Sequence, residues 1–309
     1  MKILVTGGSG FIGTNLVSEL INRGHEVVVT DLNHSKKENF IRADVSSFRQ
    51  LSNIFKKEDS FDAVYHLAAE YGRWNGEAYY ENLWKTNVIG TKHLIRLQEE
   101  LKFKMIFFSS AEVYGDYNEN MDEDVMMVQP ISKTYQMNDY AISKWAGELM
   151  ILNSERTFNT KTVRVRPVNC YGPHEEFHEY RGFIPKFIYK ILNEEKITVF
   201  SGHNRIIDYV EDSCRTWANI LDNFISGEVY NVGGRIEWQH NIEWYANKII
   251  ELTGKNSDLI DVVDTEKDTT LKKSMNFSKA VRDLNHNPKI DPEEGIKRTI
   301  SWMKSNYNL

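Results

Sequence analysis

Cysteine is scarce in this chain. Cys170 and Cys214 are the two cysteines among 309 residues, and neither sits in a C-x-x-C pair or a cysteine–histidine cluster. That pattern excludes a disulfide framework and a thiolate metal site, and both are read as reduced thiols in or near the core of a cytoplasmic protein. No apolar run reaches the length of about 18 residues that a membrane span needs. The first residues enter a strand pattern at Lys2 without a charged, apolar and small-residue leader, so no secretory signal is expected. Basic runs are missing and the formal net charge is −6, which argues against nucleic acid as a partner. Internal repeats, low-complexity tracts and carboxylate–histidine metal spacings are absent as well.

What the chain does contain is enough apolar material, 41% of residues, for one large α/β domain or a domain with a smaller lobe. Strand-like runs at 3–5, 26–30, 61–67, 104–109 and 162–166 alternate with helical spacing at 16–23, 82–102 and 140–158. That alternation predicts a parallel sheet covered on both faces, whose ligands bind beyond the carboxyl ends of the strands. After about residue 167 the alternation loosens. Residues 174–181 read as a polar loop, 183–192, 241–253 and 293–306 as helices, and 198–200 as a strand. This second half reads as a smaller lobe that returns segments to the sheet and closes over a substrate.

The most specific stretch is Thr6-Gly7-Gly8-Ser9-Gly10-Phe11-Ile12-Gly13, placed between an apolar strand and an amphipathic run. Gly7 allows a tight turn, Gly10 lets the backbone approach a pyrophosphate, and Gly13 lets the next helix pack closely on the sheet. The following strand ends at Asp31, where a carboxylate accepts hydrogen bonds from an adenosine ribose and repels a 2′-phosphate. NAD is therefore expected over NADP.

A second constellation is Tyr140-Ala-Ile-Ser-Lys144. Tyrosine and lysine four apart share one helix face, and an ammonium near a phenol favours phenolate and lowers its pKa. A third is Ser109-Ser110-Ala111-Glu112 at a strand end. Ser110 can bond a substrate hydroxyl or carbonyl beside Tyr140. Glu112 is either a base for a neighbouring carbon or a surface turn carboxylate.

Taken in order, these pieces resemble the extended short-chain dehydrogenase/reductase family, in its nucleotide-sugar epimerase/dehydratase branch. Further matching pieces are Asp44-Val45, His66-Leu67-Ala68-Ala69, Asn87 within 86–91, Arg166-Pro167-Val168-Asn169 and the run from Arg205 to Asp212. The resemblance covers nearly the whole chain and implies a Rossmann-type doubly wound parallel sheet. It divides the chain into an NAD-binding part, 1–167, and a mainly nucleotide-sugar-binding lobe, 168–309. The implied cofactor residues are Gly7, Gly10, Phe11, Ile12, Gly13, Asp31, Asp44, Val45, Leu67, Ala68, Ala69, Asn87, Tyr140, Lys144 and Pro167. Asp44 and Val45 would flank the adenine, and Asn87 would support the tyrosine–lysine pair. Ser110, Tyr140 and Lys144 would perform hydride-transfer chemistry with NAD held and recycled. Asn169 and Arg205 would hold the nucleotide diphosphate.

Arg73, in the unusual loop 70–76, is within reach of a sugar, although a surface loop explains it equally. Lysines, Lys272 and Lys273, stand where the family often places an arginine. His174 and His178 read as lid or surface residues, with no metal. The resemblance implies a homodimer whose helices near 87–101 and 140–158 pair with their copies, with Trp84, Leu94, Trp145 and Leu152 as apolar contacts.

Glu112 occupies a slot that carries a functional glutamate in 4,6-dehydratases and decarboxylases of this branch. That favours C5 proton chemistry, hence a dehydratase (4,6- or 5,6-elimination) on a UDP-sugar such as UDP-GlcNAc. Ala111 replaces the acid that assists the leaving hydroxyl in dTDP-glucose-type dehydratases. The proton donor would then be Glu112 itself, a water, or a residue of 70–74. The alternatives are a C4 or C5 epimerase and a net NAD(P)H oxidoreductase of a keto-sugar nucleotide.

Overall fold

A computed structural model of the chain describes residues 1–34, 39–129, 131–264 and 273–309. Seven parallel strands form its centre: β1 (Lys2–Thr6), β2 (Glu26–Asp31), β3 (Phe40–Arg42), β4 (Ala63–His66), β5 (Lys104–Phe108), β6 (Lys161–Pro167) and β7 (Val229–Val232). Their order is β7-β6-β5-β4-β1-β2-β3. The chain winds one way from β1 to β3 and the other way from β4 to β7. The crevice where the direction switches lies beyond the carboxyl ends of β1 and β4.

The strands are apolar on both faces because both faces are covered. Ile3, Val5, Val27, Val29, Tyr65 and Phe108 pack under the helices Phe11–Asn22 and Val210–Asp222, through Leu16, Leu20, Trp217 and Ile220. Leu4, Val28, Val64, Met105 and Phe107 face the helices Phe48–Lys57, Thr91–Leu101 and Asp139–Phe158, through Leu51, Ile54, Leu94 and Ile151. A separate core in the second half gathers Phe187, Ile191, Tyr245, Ile249, Ile296 and Met303 from the helices Phe183–Leu192, Ile242–Thr253 and Pro292–Tyr307, with Val199 from the strand Ile197–Phe200.

The expected helix over 82–102 is interrupted. Trp84–Gly90 is a π-helical turn between the α-helical segments Tyr80–Leu83 and Thr91–Leu101. Apolar spacing does not reveal one extra residue in a turn, yet such turns recur at functional sites. Here the turn carries Asn87. Leu94, expected at a dimer contact, is fully buried within the protomer core.

One polar network crosses this apolar interior. Glu148, on the helix Asp139–Phe158, accepts two bonds from the Arg166 guanidinium of β6: Nε at 2.9 Å and Nη2 at 2.8 Å. Ser109 donates to the same carboxylate at 2.5 Å. Arg166 Nη1 also donates to the Tyr114 hydroxyl and the Glu123 carbonyl, both at 2.9 Å. Tyr114 donates to Asn231 Oδ1 on β7 at 2.8 Å, and Asn231 N donates to the Glu123 carboxylate at 2.9 Å. Burial opposes charge on Glu148, but Arg166 outweighs it and holds the carboxyl below its ordinary range. Glu148→Gln leaves a buried guanidinium without its counter-charge. Unfolding in urea is expected to show a loss of about 3–5 kcal/mol; a loss below about 1 kcal/mol would mean that the pair contributes little.

Candidate active site

A cleft of about 760 Å³ runs along the strand ends, from Gly7–Gly13 and Asp31 past Ser110 and Tyr140 to Arg205 and Lys273. Its first wall is the glycine turn. Gly7 has φ +70°, and a Cβ there would lie 2.7 Å from the Ala68 nitrogen. A Cβ on Gly13 would lie 2.2 Å from the Gly7 carbonyl. Both must be glycine for packing reasons. Gly10 differs: a Cβ there meets protein only at 3.4 Å, so its bareness serves the open cleft where the helix Phe11–Asn22 begins. This is the cradle that a pyrophosphate needs. Asp31 receives the Ser9 amide at 3.0 Å through one carboxylate oxygen and the Leu32 amide at 2.7 Å through the other. It lines the same cleft with Asp44, Val45, Leu67, Ala68, Ala69 and Pro167. The residues present therefore fit a dinucleotide along this half.

Asn87, expected to line the cofactor site and to support the tyrosine–lysine pair, is placed for the second role. It is buried behind the cleft wall rather than on it. Its amide donates to the Glu70 carbonyl and to Ser143 Oγ, both at 3.0 Å, while its Oδ1 accepts the Glu70 amide at 2.9 Å. Ser143 in turn donates to the Tyr140 carbonyl at 2.8 Å. Asn87 thus acts through the backbone, pinning loop 70–76 to the helix that carries Tyr140. Beside it His66 is locked between Thr6 at 2.8 Å and Thr91 at 3.0 Å. Burial lowers its pKa to about 3, so it is neutral.

The helix Asp139–Phe158 starts with an Asn138 cap on the Ala141 amide at 2.8 Å, which puts Tyr140 in the first turn. The tyrosine departs from the expected electrostatics. Burial pushes its pKa up to about 12, outweighing the Ser110 hydrogen bond, and Glu112 raises it further. Lys144 does not offset this: its ammonium lies 5.8 Å from the Tyr140 ring centre and donates to the Phe108 carbonyl at 2.8 Å. Burial brings the Lys144 pKa down to about 7. Tyr140 is therefore neutral beside Ser110, with the lysine one turn behind it.

Glu112 is settled as a cleft residue. Burial alone would raise its pKa, but the Lys273 ammonium, bonded to its carboxylate, together with Arg205 and Arg73, holds it below the ordinary range. The loop arginine Arg73 thus does reach the site, stacked over the Trp74 ring at 4.3 Å. Asn169 and Arg205 line the same end, and the Arg205 guanidinium donates to the Asn204 carbonyl at 2.9 Å and meets His203 at 3.3 Å. Lys272 lies outside the described residues. Among those described, no cluster of three metal-ligating side chains occurs. His178 accepts the Tyr180 amide and His174 packs on Trp302.

Sequence reasoning passed over Glu148 and Glu175. A glutamate one helical turn after Lys144, and an arginine among valines in 162–166, were the available signals for the first. Glu175 sat unremarked in a polar loop.

A family model described as the NAD dependent epimerase/dehydratase family matches residues 3–233. The chain is 28% identical to a UDP-N-acetyl-alpha-D-glucosaminuronate decarboxylase of Bacillus cytotoxicus, over 99% of each chain. Among solved structures it is similar to a UDP-glucose 4-epimerase of Thermotoga maritima with UDP-glucose (TM-score 0.87, 26% identity, 99% of this chain and 100% of that one). It is also similar to a dTDP-glucose 4,6-dehydratase of Bacillus anthracis in complex with NAD (TM-score 0.84, 25% identity, 100% and 98%).

Asp31→Ala should weaken NAD binding about 10- to 100-fold, the worth of charge-assisted hydrogen bonds, and narrow discrimination against NADP. Calorimetric titration of nucleotide-stripped protein measures both. Unchanged discrimination would remove Asp31 as the selector.

Proposed function

The chain belongs to the NAD dependent epimerase/dehydratase family, and within it we propose that this enzyme is a nucleotide-sugar dehydratase that keeps and recycles NAD. The observation that carries the reading is Glu112: an ionised carboxylate beside the Ser110–Tyr140 pair, held in that state by Lys273, Arg205 and Arg73. An epimerase acting at C4 alone needs no such base. The reading is supported by the similarity to the Bacillus anthracis dehydratase and to the uronate decarboxylase.

Bound in this cleft, NAD would supply a hydride acceptor that can be recycled within one turnover. The glycine turn and Asp31 would hold its pyrophosphate and ribose, and Lys144, whose ammonium donates to the Phe108 carbonyl, would be the cation that serves its nicotinamide end. Ser110 orients the sugar C4 hydroxyl. Tyr140 takes that proton, and with a pKa near 12 in the free site it depends on nearby positive charge to do so. Once C4 is a ketone, the C5 proton is acidic, and Glu112 removes it. Asn169 and Arg205 bind the diphosphate, with the forked guanidinium suited to phosphate oxygens. A UDP-sugar such as UDP-GlcNAc is the substrate we favour.

In this reading residues 1–167 serve the cofactor and 168–309 mainly the sugar nucleotide. Exposed Ile89, Ile142 and Leu149, on the two neighbouring helical segments, suit a homodimer contact, and the free thiols Cys170 and Cys214 suit a cytoplasmic setting. The described helices include none long and apolar enough to cross a membrane.

The second reading, a C4 or C5 epimerase, is favoured by Ala111, which offers no acid to a leaving hydroxyl. Incubation with UDP-, dTDP-, GDP- and CDP-sugars in deuterated water, followed by mass spectrometry, separates the two. Loss of one water with one deuterium gained is expected. Unchanged composition with deuterium at C5 indicates a C5 epimerase, and inverted C4 without deuterium a C4 epimerase. Glu112→Gln should slow elimination at least about 100-fold; an unimpaired rate would exclude Glu112 as the base.

A further inference from the structure

Elimination of water needs a proton donor as well as a base, and Ala111 cannot be one. The C5 proton and the C6 hydroxyl leave from adjacent carbons, so the donor must stand against the base. Glu112 has such a neighbour. The Lys273 ammonium donates directly to Glu112 Oε1, and both side chains line the cleft with Ser110 and Tyr140. The lysine side chain is 15% exposed, so it is held at the wall rather than trailing in solvent.

Strand pairing delivers the lysine to this place. Ser274 and Met275, which follow it, pair in parallel with Asn120 and Met121. Met275 is buried in one apolar cluster with Ala111, Val113, Tyr114 and Met121, and Ala111–Tyr114 is the turn that carries Glu112. Asn231 donates to the Met121 and Asn276 carbonyls at 2.9 and 3.2 Å, so one side chain of β7 braces both segments. On its other side, the Glu112 amide donates to Ser110 Oγ at 3.2 Å, and Ser110 stands beside Tyr140. Tyr140, Ser110, Glu112 and Lys273 are thus linked in the order of the tasks at C4, C5 and C6.

Of the cations that act on Glu112, Arg205 and Arg73 carry guanidinium groups, which stay protonated in proteins. Lys273 can give up a proton. An ammonium has three hydrogens and a carboxylate two oxygens, so each partner can keep the shared bond and still act on a substrate. Tyr140 is committed to the C4 hydroxyl. A second buried carboxyl of the cleft, Glu175, is pushed up to about 8 by burial, but its interactions are with Arg181, Tyr71 and Cys170 rather than with Glu112.

We propose that Lys273 is the acid that protonates the departing C6 hydroxyl, working with Glu112 as one contact ion pair. The inference rests on the dehydratase reading. In the 4-keto sugar, Glu112 takes the C5 proton as the C5–H bond breaks, and the electron pair of that bond forms the C5=C6 double bond. The C6–O bond breaks with its pair on oxygen, which takes a proton from the Lys273 ammonium and leaves as water. Glu112 is left as a carboxylic acid and Lys273 as an amine. A proton crossing their shared hydrogen bond restores carboxylate and ammonium. The two charges vanish together and return together, so neither is left uncompensated in the cleft.

The test uses the full chain loaded with NAD. It compares the 6-hydroxy substrate identified by the sugar panel with its 6-fluoro analogue, whose fluoride leaves with little acid assistance. The informative variant is Lys273→Arg, which keeps a positive charge beside Glu112 and has no proton to give. At saturating substrate it should slow loss of water at least about 100-fold while changing loss of fluoride less than about threefold. Lys273→Gln removes the charge as well and should slow both losses, because Glu112 loses the bonded cation that keeps it ionised. Loss of water at the wild-type rate in Lys273→Arg would mean that only the charge matters and would overturn the proposal. Equal slowing of both substrates by Lys273→Arg would mark a positioning role and overturn it too. So would a raised KM with unchanged kcat, the mark of a residue that grips the diphosphate. If Lys273→Arg does not fold, Lys273→Ala is assayed with added propylammonium and with added propylguanidinium. Recovery of water loss with the first alone is expected; recovery with both or with neither overturns the assignment. A wild type that eliminates from neither substrate defeats the dehydratase reading and this one together; elimination with any contrary Lys273 result defeats this one alone.

Discussion

The Glu148–Arg166 pair is the interaction on which the rest of the site depends. A bidentate guanidinium–carboxylate contact in an apolar interior costs desolvation that is offset only by close geometry and full satisfaction of the remaining donors and acceptors. Both conditions hold here. Glu148 sits one turn beyond Lys144 on the same helix, so its grip on β6 fixes how far that helix stands from the sheet. Ser109, which donates to Glu148, immediately precedes Ser110 and fixes the end of β5. Tyr114, which accepts from Arg166, closes the turn that carries Glu112. The strand-end residues that line the cleft are held from behind by one buried charge pair.

The same economy appears in the treatment of the carboxyls. The fold puts Glu112 and Glu175 into one cleft and separates their charge states by their neighbours alone. Among the described residues, Lys273, Arg205 and Arg73 act on Glu112. Glu175 has burial and one arginine that is occupied with an aromatic ring. No difference in residue type is needed for them to hold opposite charge states at neutral pH.

What the amino-acid string reveals follows from the range of each interaction. Gly7, Gly13 and Asp31 could be placed from order alone, because strand, turn, helix and strand are contiguous and the backbone conformation of each is local. Tyr140 and Lys144 share a helix face, so their proximity is also local. The protonation states were not legible. Tyr140 was expected to be lowered by its lysine, but burial and a carbonyl that captures the ammonium reverse the balance. Glu112 depends on Lys273, 161 residues away, and nothing in the local pattern announces that meeting. Asn87 was read both as a cofactor residue and as a support of the tyrosine–lysine pair; the π-helical turn points it inward, toward Glu70 and Ser143, which suits the support role.

Asn231 gives the network a direction in time. The Tyr114 hydroxyl and the Glu123 carboxylate find their partner on β7, and Asn231 reaches further to the Met121 and Asn276 carbonyls. A ribosome that has released the chain only as far as Pro167 has delivered every residue of the glycine turn, Tyr140 and Lys144, and also both members of the buried charge pair. The last bonds around that pair still wait for a strand some sixty residues later, and for a segment beyond it. The network behind the cleft therefore closes only after residues 231 and 276 have been made, although the pair at its centre emerges much earlier.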